Sequence, residues 1–378
     1  MRKGWETKKL GDVYDVKDGT HDSPKYVAKG HALITSKNLK NDSICFQNIR
    51  YISEQDYINI NKRSEVDIGD ILFAMIGTIG NPVVVKDKPD FAIKNVALFK
   101  VPKNQDSYFL KYYLDSDDVI YKMSKDAKGA TQKFVGLGYL RNFEILLPPL
   151  PEQQRIVAIL NEVFVAIAKS KANAEQNLKN AKELFESYLR GVFEHKGEDW
   201  KEKRFDEICV LQRGFDLPTH SRNEGGFPLV SSNGVTDKID LWKVKAPGVV
   251  TGRSGTIGNV HFIEEDYWPL NTALYIKEFH GNYERFIYYF LKQFNLRKYS
   301  SGAGVPTLNR NNVHSEIVWF PISIKGQKRI VQKLDALSTE TKRLEAIYQQ
   351  KIRNLEELKR SILQKAFSGE LTSELVLS

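Results

Sequence analysis

Gln153-Gln154-Arg155-Ile156-Val157 returns later in the chain as Gln327-Lys328-Arg329-Ile330-Val331. The match between the two segments continues without a gap, because Glu183-Leu184 recurs at the same spacing as Glu357-Leu358. An internal repeat of this kind constrains the architecture more than any single motif does. The sequence therefore predicts a chain that is built twice, each copy being a globular segment followed by a long helix.

The globular halves repeat as well. Gly77-Thr78-Ile79-Gly80-Asn81 returns letter for letter as Gly255-Thr256-Ile257-Gly258-Asn259, and Asn95-Val96-Ala97-Leu98 pairs with Asn271-Thr272-Ala273-Leu274. The spacing between equivalent segments drifts here, so insertions and deletions fall in loops, as expected when a scaffold is kept and its binding loops differ. The alternative is a duplication with one inactive copy. It is disfavoured because the second copy keeps distinct polar residues of its own.

Length and composition limit the function classes. The 378 residues are enough for two or three domains, each with its own core. The 56 Lys+Arg outnumber the 47 Asp+Glu and leave a net charge of +9, which favours an anionic partner. Cys45 and Cys209 lie far apart, which indicates a reducing compartment rather than a disulfide framework. With no signal-like or membrane-spanning apolar run, we expect a cytoplasmic protein without a membrane partner.

Local patterns place the elements of the first copy. β-Branched runs at Ile71–Ile76 and Val83–Val85 indicate strands, and Tyr108–Tyr121 is predicted to be one helix. Leu147-Pro148-Pro149-Leu150-Pro151 ends this domain, with Pro151 as the first residue of the next helix. Apolar residues then recur every three or four positions in both copies. This spacing predicts two helices, each ~65 Å long, that pack lengthwise as in a coiled coil.

The order of globule, helix, globule and helix favours antiparallel helices, because a parallel pair would need a connection running back along the whole helix. The predicted fold class is α+β, with two β-rich α/β domains joined by two long antiparallel helices in a pseudo-two-fold internal repeat. Two similar domains on such a frame suit duplex DNA, whose groove repeats every ~34–36 Å. The predicted segments are a first domain at 1–150, a spacer helix at 151–196, a second domain at 197–324, and a second spacer helix with a C-terminal tail at 325–378.

Several strings of the first copy point to a known family. They are Asp18-Gly19-Thr20-His21, Gly69-Asp70-Ile71-Leu72 and the long string from Phe143 to Ile156 that contains Leu147-Pro148-Pro149-Leu150-Pro151. With these strings the chain resembles, over essentially its whole length, the specificity subunit of type I restriction-modification systems. The second copy departs from the family pattern at Glu316–Pro321, where the double proline and the following glutamate are missing. Its helix start, near Gly326-Gln327, is therefore less sharply defined.

The resemblance implies a non-catalytic DNA-recognition subunit. Two target-recognition domains would each read half of a bipartite, asymmetric sequence in double-stranded DNA. The helix pair would set the gap between the half-sites and dock two modification subunits, which methylate adenine with S-adenosylmethionine. This chain itself would bind no cofactor and no metal. Two restriction subunits, which are translocase-nucleases, would complete the complex in a bacterial or archaeal cytoplasm.

Base reading needs Arg or Lys for guanine and Asn or Gln for adenine, so polar loop residues are the candidates for DNA contact. In the first domain they are Thr20, His21, Lys37, Asn38, Arg50, Lys128, Thr131, Gln132 and Lys133. In the second domain they are Arg213, Arg222, Ser232, Asn233, Arg253, Ser254, Thr307, Asn309 and Arg310. The alternative for each residue is an ordinary solvated loop position, and many true contacts would be to phosphates. The loops at 129–133 and 302–306 are predicted to be equivalent.

Catalytic interpretations are disfavoured. The chain has no Gly-Lys dipeptide and hence no P-loop, and its only Pro-Pro follows Leu147 rather than the Asn or Asp of an amino-methyltransferase. Pro89-Asp90 with Asp126-Ala127-Lys128 imitates a nuclease signature at loose spacing, and the seven histidines lack metal-ligand spacing. Two rivals remain: an autonomous nuclease, and a decoy that occupies modification subunits without reading DNA. The charge of +9 disfavours a decoy with acidic, DNA-mimicking loops.

Overall fold

The computed structural model describes residues 4–302 and 306–372. It divides into two compact units: the first runs to Ala174 and resumes at Gln350, and the second spans Glu175–Gln349. Each unit contains one globular domain and a part of each of the two long helices. None of the described helices combines the length and the apolar character needed to cross a bilayer. The domain boundaries given above stay predictions.

The first unit is built from short strands and helices. Its strands are β1 (Glu6–Lys9), β2 (Asp15–Asp18), β3 (Tyr26–Val27), β4 (His31–Ile34), β5 (Leu39–Lys40), β6 (Ser43–Ile44), β7 (Arg50–Ile52), β8 (Ile71–Ala74), β9 (Gly80–Val84), β10 (Phe91–Ile93), β11 (Val96–Lys100) and β12 (Glu144–Leu147). Its helices are α1 (Leu10–Val13), α2 (Glu54–Ser64), α3 (Ser107–Leu114), α4 (Asp117–Asp126), α5 (Leu137–Asn142) and the start of α6 (Leu150–Glu194). A 3-10 turn covers Ser36–Asn38.

Two four-stranded sheets form the globular part of this unit. The central sheet has the antiparallel order β2-β11-β8-β9, and the second has the order β10-β4-β7-β3 with β10 parallel to β4. Strand β8 is buried at all of its positions, so Ile71–Ala74 is an uninterrupted apolar run rather than an alternating one. The ribbon β1-β12 lies next to the start of α6 along the chain.

The prediction of a single helix over Tyr108–Tyr121 is wrong. Helix α3 ends at Leu114 and α4 begins at Asp117. At the break, the Ser116 hydroxyl donates to the carbonyl of Tyr113 at 2.7 Å, and Ser116 has an extended backbone as the residue that precedes α4. Serine favours such helix ends because its hydroxyl competes for backbone groups, and this local competition outweighs the apolar periodicity.

The second unit repeats these elements. Its strands are β13 (Trp200–Arg204), β14 (Val210–Arg213), β15 (Glu224–Ser231), β16 (Gly234–Ile239), β17 (Gly248–Gly252), β18 (Val260–Ile263), β19 (Trp268–Pro269), β20 (Ala273–Glu278), β21 (Ser300–Ser301), β22 (Thr307–Leu308) and β23 (Ile317–Pro321). Its helices are α7 (Phe205–Ile208), α8 (Glu284–Gln293), α9 (Arg310–His314) and the start of α10 (Ile324–Ser368). Two 3-10 turns cover Thr219–Ser221 and Leu296–Tyr299.

The two units share the topology of their central sheet and of the ribbon next to the long helix, while their second sheets have four and three strands. The central sheet of the second unit has the order β14-β20-β17-β18, which matches β2-β11-β8-β9 element by element. The ribbon β13-β23 matches β1-β12, and β19 runs parallel to β15 as β10 does to β4. The predicted internal repeat and the α+β fold class are therefore confirmed.

The two long helices pair within the first unit. Lys171 Nζ of α6 lies 2.7 Å from Glu356 Oε1 of α10, and nearer the start of α6 Ile156 shares a core with Leu363. Higher residue numbers on α6 therefore meet lower numbers on α10, which makes the pairing in this unit antiparallel, as predicted. Helix α6 begins at Leu150, one residue before the predicted start at Pro151.

A buried glutamine joins each long helix to its globular domain. In the first unit Gln153 is 0% exposed. Its Oε1 accepts a hydrogen bond from the backbone N–H of Asp106 at 3.0 Å, which is the residue before α3. Its Nε2 donates to Gln105 Oε1 at 2.7 Å and to the carbonyl of Pro148 at 2.8 Å. One side chain thus ties together α6, α3 and the end of β12.

The second unit repeats this contact atom for atom. Gln327 is also 0% exposed, and its Oε1 accepts from the backbone N–H of Tyr283, the residue before α8, at 2.9 Å. Its Nε2 donates to Asn282 Oδ1 at 2.8 Å and to the carbonyl of Pro321 at 2.9 Å. The repeated Gln of the opening motif is therefore a buried structural contact.

A tyrosine makes a second repeated contact with each helix. The Tyr112 hydroxyl donates to Asn161 Oδ1 of α6 at 2.5 Å, and the Tyr289 hydroxyl donates to Asp335 Oδ1 of α10 at 2.5 Å. Arg285 also donates to Asp335, at 3.1 and 3.0 Å. Burial, together with the bond to Asp335, raises the pKa of Tyr289 above its usual range, so its hydroxyl stays a donor.

Replacing Gln153 with leucine should destabilise the first unit by ~2–4 kcal/mol, because the N–H of Asp106 and the carbonyl of Pro148 lose their partner in a buried place. Urea unfolding of the full chain measures this change. Gln154→Leu is the matched control, since Gln154 is the neighbouring residue and is exposed. Equal stability of the two variants would contradict the role of the buried amide.

Candidate nucleic-acid interface

Candidate residues of the first unit gather where strands of the central sheet end. β2 ends at Asp18, which pairs with Ala97, and β8 ends at Ala74, which pairs with Val96 at the start of β11. The loops after β2, after β8 and before β11 therefore leave the sheet at one edge. We call this the binding edge of the first unit. Loop residues at an edge of a rigid sheet are well placed to bind a partner.

A cleft of about 700 Å³ opens at this binding edge. Its described lining contains four cationic side chains and neither aspartate nor glutamate; the four are Lys37, Lys40, Arg50 and Lys94. Thr35, Ser36, Asn48, Thr78, Asn95 and Gln132 add hydroxyl and amide groups. A cleft lined by cations without a carboxylate concentrates positive potential and attracts a polyanion.

Four of the predicted contact residues line this cleft together: Lys37, Asn38, Arg50 and Gln132. Lys37 and Arg50 are exposed, and the Arg50 guanidinium lies 4.5 Å from the centre of the Tyr26 ring. Asn38 differs, because it is only 8% exposed. Its Oδ1 accepts from the backbone of Thr35 at 2.9 Å, and its Nδ2 donates to the carbonyl of Cys45 at 3.0 Å. The Asn38 amide therefore stabilises the backbone that forms one wall of the cleft.

The loop at 128–134 lies against the end of β8. The backbones of Lys128 and Phe134 exchange hydrogen bonds of 2.9 and 2.8 Å, and the N–H of Gly77 donates to the carbonyl of Lys133 at 2.8 Å. This pairing brings Gln132 beside Gly77, at the mouth of the cleft. The predicted contact residues of this loop are all exposed: Lys128, Thr131, Gln132 and Lys133.

The turn after β2 is held by backbone contacts. The N–H groups of Gly19 and Thr20 donate to the carbonyls of Val96 and Ile93, each at 3.0 Å. A Cβ on Gly19 would lie 2.1 Å from the carbonyl oxygen of Ile93, so only glycine fits this approach. Thr20 is half-buried, and its hydroxyl accepts from the backbone of Asp22 at 3.1 Å.

His21 completes this turn. One ring nitrogen lies 2.8 Å from Asn95 Oδ1 and the other lies 2.9 Å from Asp18 Oδ2. Asp18 is buried and also accepts from the guanidinium of Arg63. The His21 side chain is 57% exposed. It therefore lies at the binding edge with both ring nitrogens engaged, next to the Asn95 that lines the cleft.

The second unit has the same turn after β14. Here the N–H of Gly214 donates to the carbonyl of Ala273 at 3.1 Å, and that of Phe215 donates to Pro269 at 2.8 Å. A Cβ on Gly214 would lie 2.2 Å from the carbonyl oxygen of Leu270. The backbone of this turn thus repeats that of the turn at Gly19, while the side chains around it differ.

Arg213 and Asp216 flank this turn as an ion pair. Arg213 Nη2 lies 3.1 Å from both carboxylate oxygens of Asp216, and the side-chain amide of Asn271 also donates to Asp216. Arg253 follows the end of β17, where its Nη1 lies 3.4 Å from the carbonyl of Asn271. The half-buried Arg253 thus has a partner where β14 and β17 end and β20 begins, and we call this place the binding edge of the second unit. In the first unit the corresponding strand end carries Met75 and Ile76.

The remaining candidates of this edge surround Arg253. The hydroxyl of Thr256 donates to the carbonyl of Ser232 at 2.9 Å and lies 2.6 Å from Asn233 Oδ1. Ser254 pairs with Thr307 in a β-bridge. The structure therefore brings together the following predicted residues at the binding edge of the second unit: Arg213, Ser232, Asn233, Arg253, Ser254 and Thr307.

Three predicted residues are engaged elsewhere in the protein. Arg222 donates to the carbonyl of Leu217 at 3.1 and 2.9 Å. Arg310 donates to Gln212 Oε1 at 2.5 Å, and the Asn309 side chain accepts from the backbone that begins α9. These contacts give each residue a structural role. Residues 303–305 of the loop that was predicted to match 129–133 lie outside the described residues.

Sequence reasoning missed several residues of the two edges. In the first unit these are Tyr26, Lys40, Asn48, Lys94 and Asn95. In the second unit His261 lies beneath the turn at Ser232–Gly234, where a Cβ on Gly234 would be 2.9 Å from its ring. Burial lowers the pKa of His261, which keeps the ring neutral. The repeated Asn-x-Ala-Leu string contains Asn95 and Asn271, and that repeat was the available signal.

The residues of the loose nuclease signature have separate local partners. Asp90 Oδ1 lies 2.5 Å from His31 Nδ1, and Asp126 accepts from the Tyr139 hydroxyl at 2.8 Å. Burial and the bond to Asp126 raise the pKa of Tyr139 to about 12. Within the described ranges no group of three His, Cys, Asp or Glu is arranged to hold a metal ion.

Comparisons with known proteins agree on one family. The family described as "Type I restriction modification DNA specificity domain" matches residues 2–180 and 197–354. The chain is 23% identical to the type I restriction enzyme EcoBI specificity subunit of Escherichia coli, over 81% of this chain and 74% of that protein. It is 23% identical to the MjaIX specificity subunit of Methanocaldococcus jannaschii, over 98% of this chain and 94% of that protein.

Two solved structures share the fold. One is a chain from a study of complex assembly and conformational transition of the type I R-M system, with a TM-score of 0.80, 19% identity and coverage of 98% of this chain and 99% of that one. The other is the HsdS subunit from Thermoanaerobacter tengcongensis, with a TM-score of 0.65, 19% identity and 98% coverage of both chains.

Replacing Gly214 with alanine should destabilise the second unit by ~1–3 kcal/mol, because the new Cβ would overlap the backbone of Leu270. Gly226→Ala is the control, since Gly226 belongs to the same unit and has nothing within 4 Å of the added Cβ. That variant should stay within ~0.5 kcal/mol of the parent protein in urea unfolding. A stable Gly214→Ala protein would show that the turn can move away.

Proposed function

Because this chain belongs to the family of the type I restriction modification DNA specificity domain and matches it twice, we propose that its two units read the two halves of a bipartite, asymmetric DNA target. The chain is a specificity subunit, which recognises DNA and is not itself an enzyme. The observation that carries the proposal is the binding edge, which is built twice on one backbone plan with different side chains.

The charges at both edges support binding to a polyanion. The cleft of the first unit has Lys37, Arg50 and Lys94 with no carboxylate in its described lining. The second edge has Arg253 and also Arg213, which is paired with Asp216. Arg and Lys can contact either phosphates or guanine, and amides such as that of Gln132 suit adenine. The edges therefore offer both backbone-positioning and base-reading groups.

The differences between the edges support an asymmetric target. Thr20-His21 of the first turn corresponds to Phe215-Asp216 of the second, and the apolar strand end at Met75-Ile76 corresponds to one that carries Arg253. Because donor and acceptor groups differ at equivalent places, the two edges would favour different base sequences. Polar residues such as Asp216 and Arg253 at the edge of the second unit are not expected in an inactive second copy.

The long helices support the proposed assembly. Several of their apolar side chains are exposed, among them Val165, Leu184, Ile347 and Leu358, and burying such side chains against a protein partner would be favourable. We propose that the helices dock two modification subunits, which carry S-adenosylmethionine and methylate adenine. Two restriction subunits complete the complex, and the proposed compartment is the cytoplasm of a bacterium or archaeon.

A methylome of the source cell with and without this gene tests the function. Deletion should remove one bipartite, asymmetric methyl-adenine motif and leave other motifs unchanged. Reintroducing the gene is the control and should restore that motif. An unchanged methylome, obtained while the modification subunit is expressed and active with another specificity subunit, would contradict the proposal.

A matched shortening of both helices tests whether they set the gap. Removing seven residues from 169–182 of α6 and seven from 343–356 of α10 deletes about two turns from each and keeps their faces in phase. The helices lose ~10 Å, so the gap should shrink by roughly three base pairs, with both half-sites unchanged. Motif analysis of methylated DNA measures the gap, and reinserting one heptad in each helix should restore it. An unchanged gap in a folded, active complex would contradict this role.

A further inference from the structure

We propose that Arg213, held in place by Asp216 and Asn271, reads a guanine in the half-site bound by the second unit. This inference rests on the proposed function and assigns one base contact within it. Arg213 is then the residue that touches the base, and Asp216 and Asn271 are positioning residues.

The turn that carries Arg213 is rigid. Gly214 approaches the backbone of Leu270 so closely that no Cβ would fit. Phe215 is packed between Trp268 and Tyr275, with ring centres 6.1 and 5.8 Å away. A turn fixed on both its backbone and its central side chain sets the directions of the residues on either side of it, Arg213 and Asp216.

The ion pair leaves part of the guanidinium available. Both contacts with Asp216 use Nη2 of Arg213, and the Arg213 side chain is 46% exposed. The two oxygens of one carboxylate share one hydrogen of Nη2, so among the contacts that the described residues make, the second hydrogen of Nη2 remains available. Together with the neighbouring N–H of the guanidinium, this hydrogen forms a fork that can bind a ligand. Guanine presents two acceptors, O6 and N7, to the major groove, and an arginine fork bonds both. Adenine has an amino donor in place of O6, so a fixed guanidinium discriminates against it.

An exposed ion pair three residues apart usually contributes little to stability, and by itself it indicates nothing more than a solvated surface. Two observations distinguish this pair. Asp216 has a second partner in Asn271, which lies in the loop before β20 and whose carbonyl lies 3.4 Å from Nη1 of Arg253. The equivalent Asn95 of the first unit makes the equivalent contact with His21. The asparagine is thus kept in both copies and contacts the same position of the turn, while the residue at that position changes from His21 to Asp216.

The first unit has no guanidinium on the strand at this place. The position equivalent to Arg213 is Asp18, which is buried, and the position equivalent to Asp216 is His21. The arginine that pairs with Asp18 is Arg63, which comes from α2 instead of from the strand. The same backbone turn therefore bears Asp and His in one half and Arg and Asp in the other. A guanine contact made by the last residue of this strand should therefore exist only in the half-site of the second unit.

The test uses the complete complex of this chain with its modification subunits, acting on DNA libraries with randomised half-sites. Arg213→Lys keeps the charge and removes the planar fork. It should reduce the preference for guanine at one position by roughly ten- to a hundred-fold and leave the other half-site unchanged. Asp216→Asn should weaken the same preference less, and it should leave the stability of the chain within the range of ordinary surface substitutions.

Two further variants serve as references. Arg204→Lys is the matched control, because Arg204 forms an exposed pair with Asp206 in the same unit, at the end of β13. Arg204→Lys should leave the base preference unchanged at every position of the methylated motif. Arg253→Ala identifies the half-site that the second unit binds. Any position at which this variant loses base preference should lie in the same half-site as the position affected by Arg213→Lys.

Equal weakening on all sequences by Arg213→Ala, with the salt dependence of binding reduced by about one unit of slope, would make Arg213 a phosphate contact and overturn the inference. An unchanged motif in Arg213→Lys would also overturn it. If the parent complex methylates no bipartite motif at all, the proposed function itself fails. A parent complex that is specific, with an Arg213→Lys variant that is equally specific, refutes only the guanine contact.

Discussion

The side-chain amide of Gln153, repeated as Gln327, is the contact on which each unit depends. It lies where an α-helix begins after a proline-containing segment, and it bonds one backbone donor and one backbone acceptor of the globular domain in a place without solvent. Leaving such buried groups unpaired costs free energy of folding. These hydrogen bonds therefore fix the start of the helix against its globular domain. Tyr112 and Tyr289 add a second point of attachment about two turns along.

Each binding edge belongs to the globular domain that this attachment joins to its helix. The central sheet ends in loops on one edge, and the turn after the first strand of that sheet is held at a glycine that tolerates no Cβ. The backbone is therefore the same in both units, at Gly19 and at Gly214. At this turn the two units differ in the side chains on the turn and at the neighbouring strand end, which suits the proposed reading of two different half-sites by one scaffold.

Much of the architecture could be predicted. The paired strings at 153–157 and 327–331 predicted two copies and two long helices. The candidate residues Lys37, Arg50, Gln132 and Arg253 lie at the two binding edges, and their contacts with DNA stay a prediction. The single helix over Tyr108–Tyr121 was wrong, because Ser116 ends one helix and starts another. Asn38 was chosen for its amide, and that amide proves to be bonded to Thr35 and Cys45 inside the fold.

The sequence by itself determined the duplication, the fold class and the family, because these depend on repeated strings and on apolar spacing, which are local and can be counted along the chain. Only the tertiary structure decided which polar residues share an edge and which are used internally. Arg213, Asp216 and Asn271 meet through strand pairing across distant segments, and Arg310 is drawn to Gln212 in the same way. A polar side chain is available for DNA only when the fold leaves at least some of its hydrogen-bonding groups unpaired, and that depends on neighbours that are remote in the sequence.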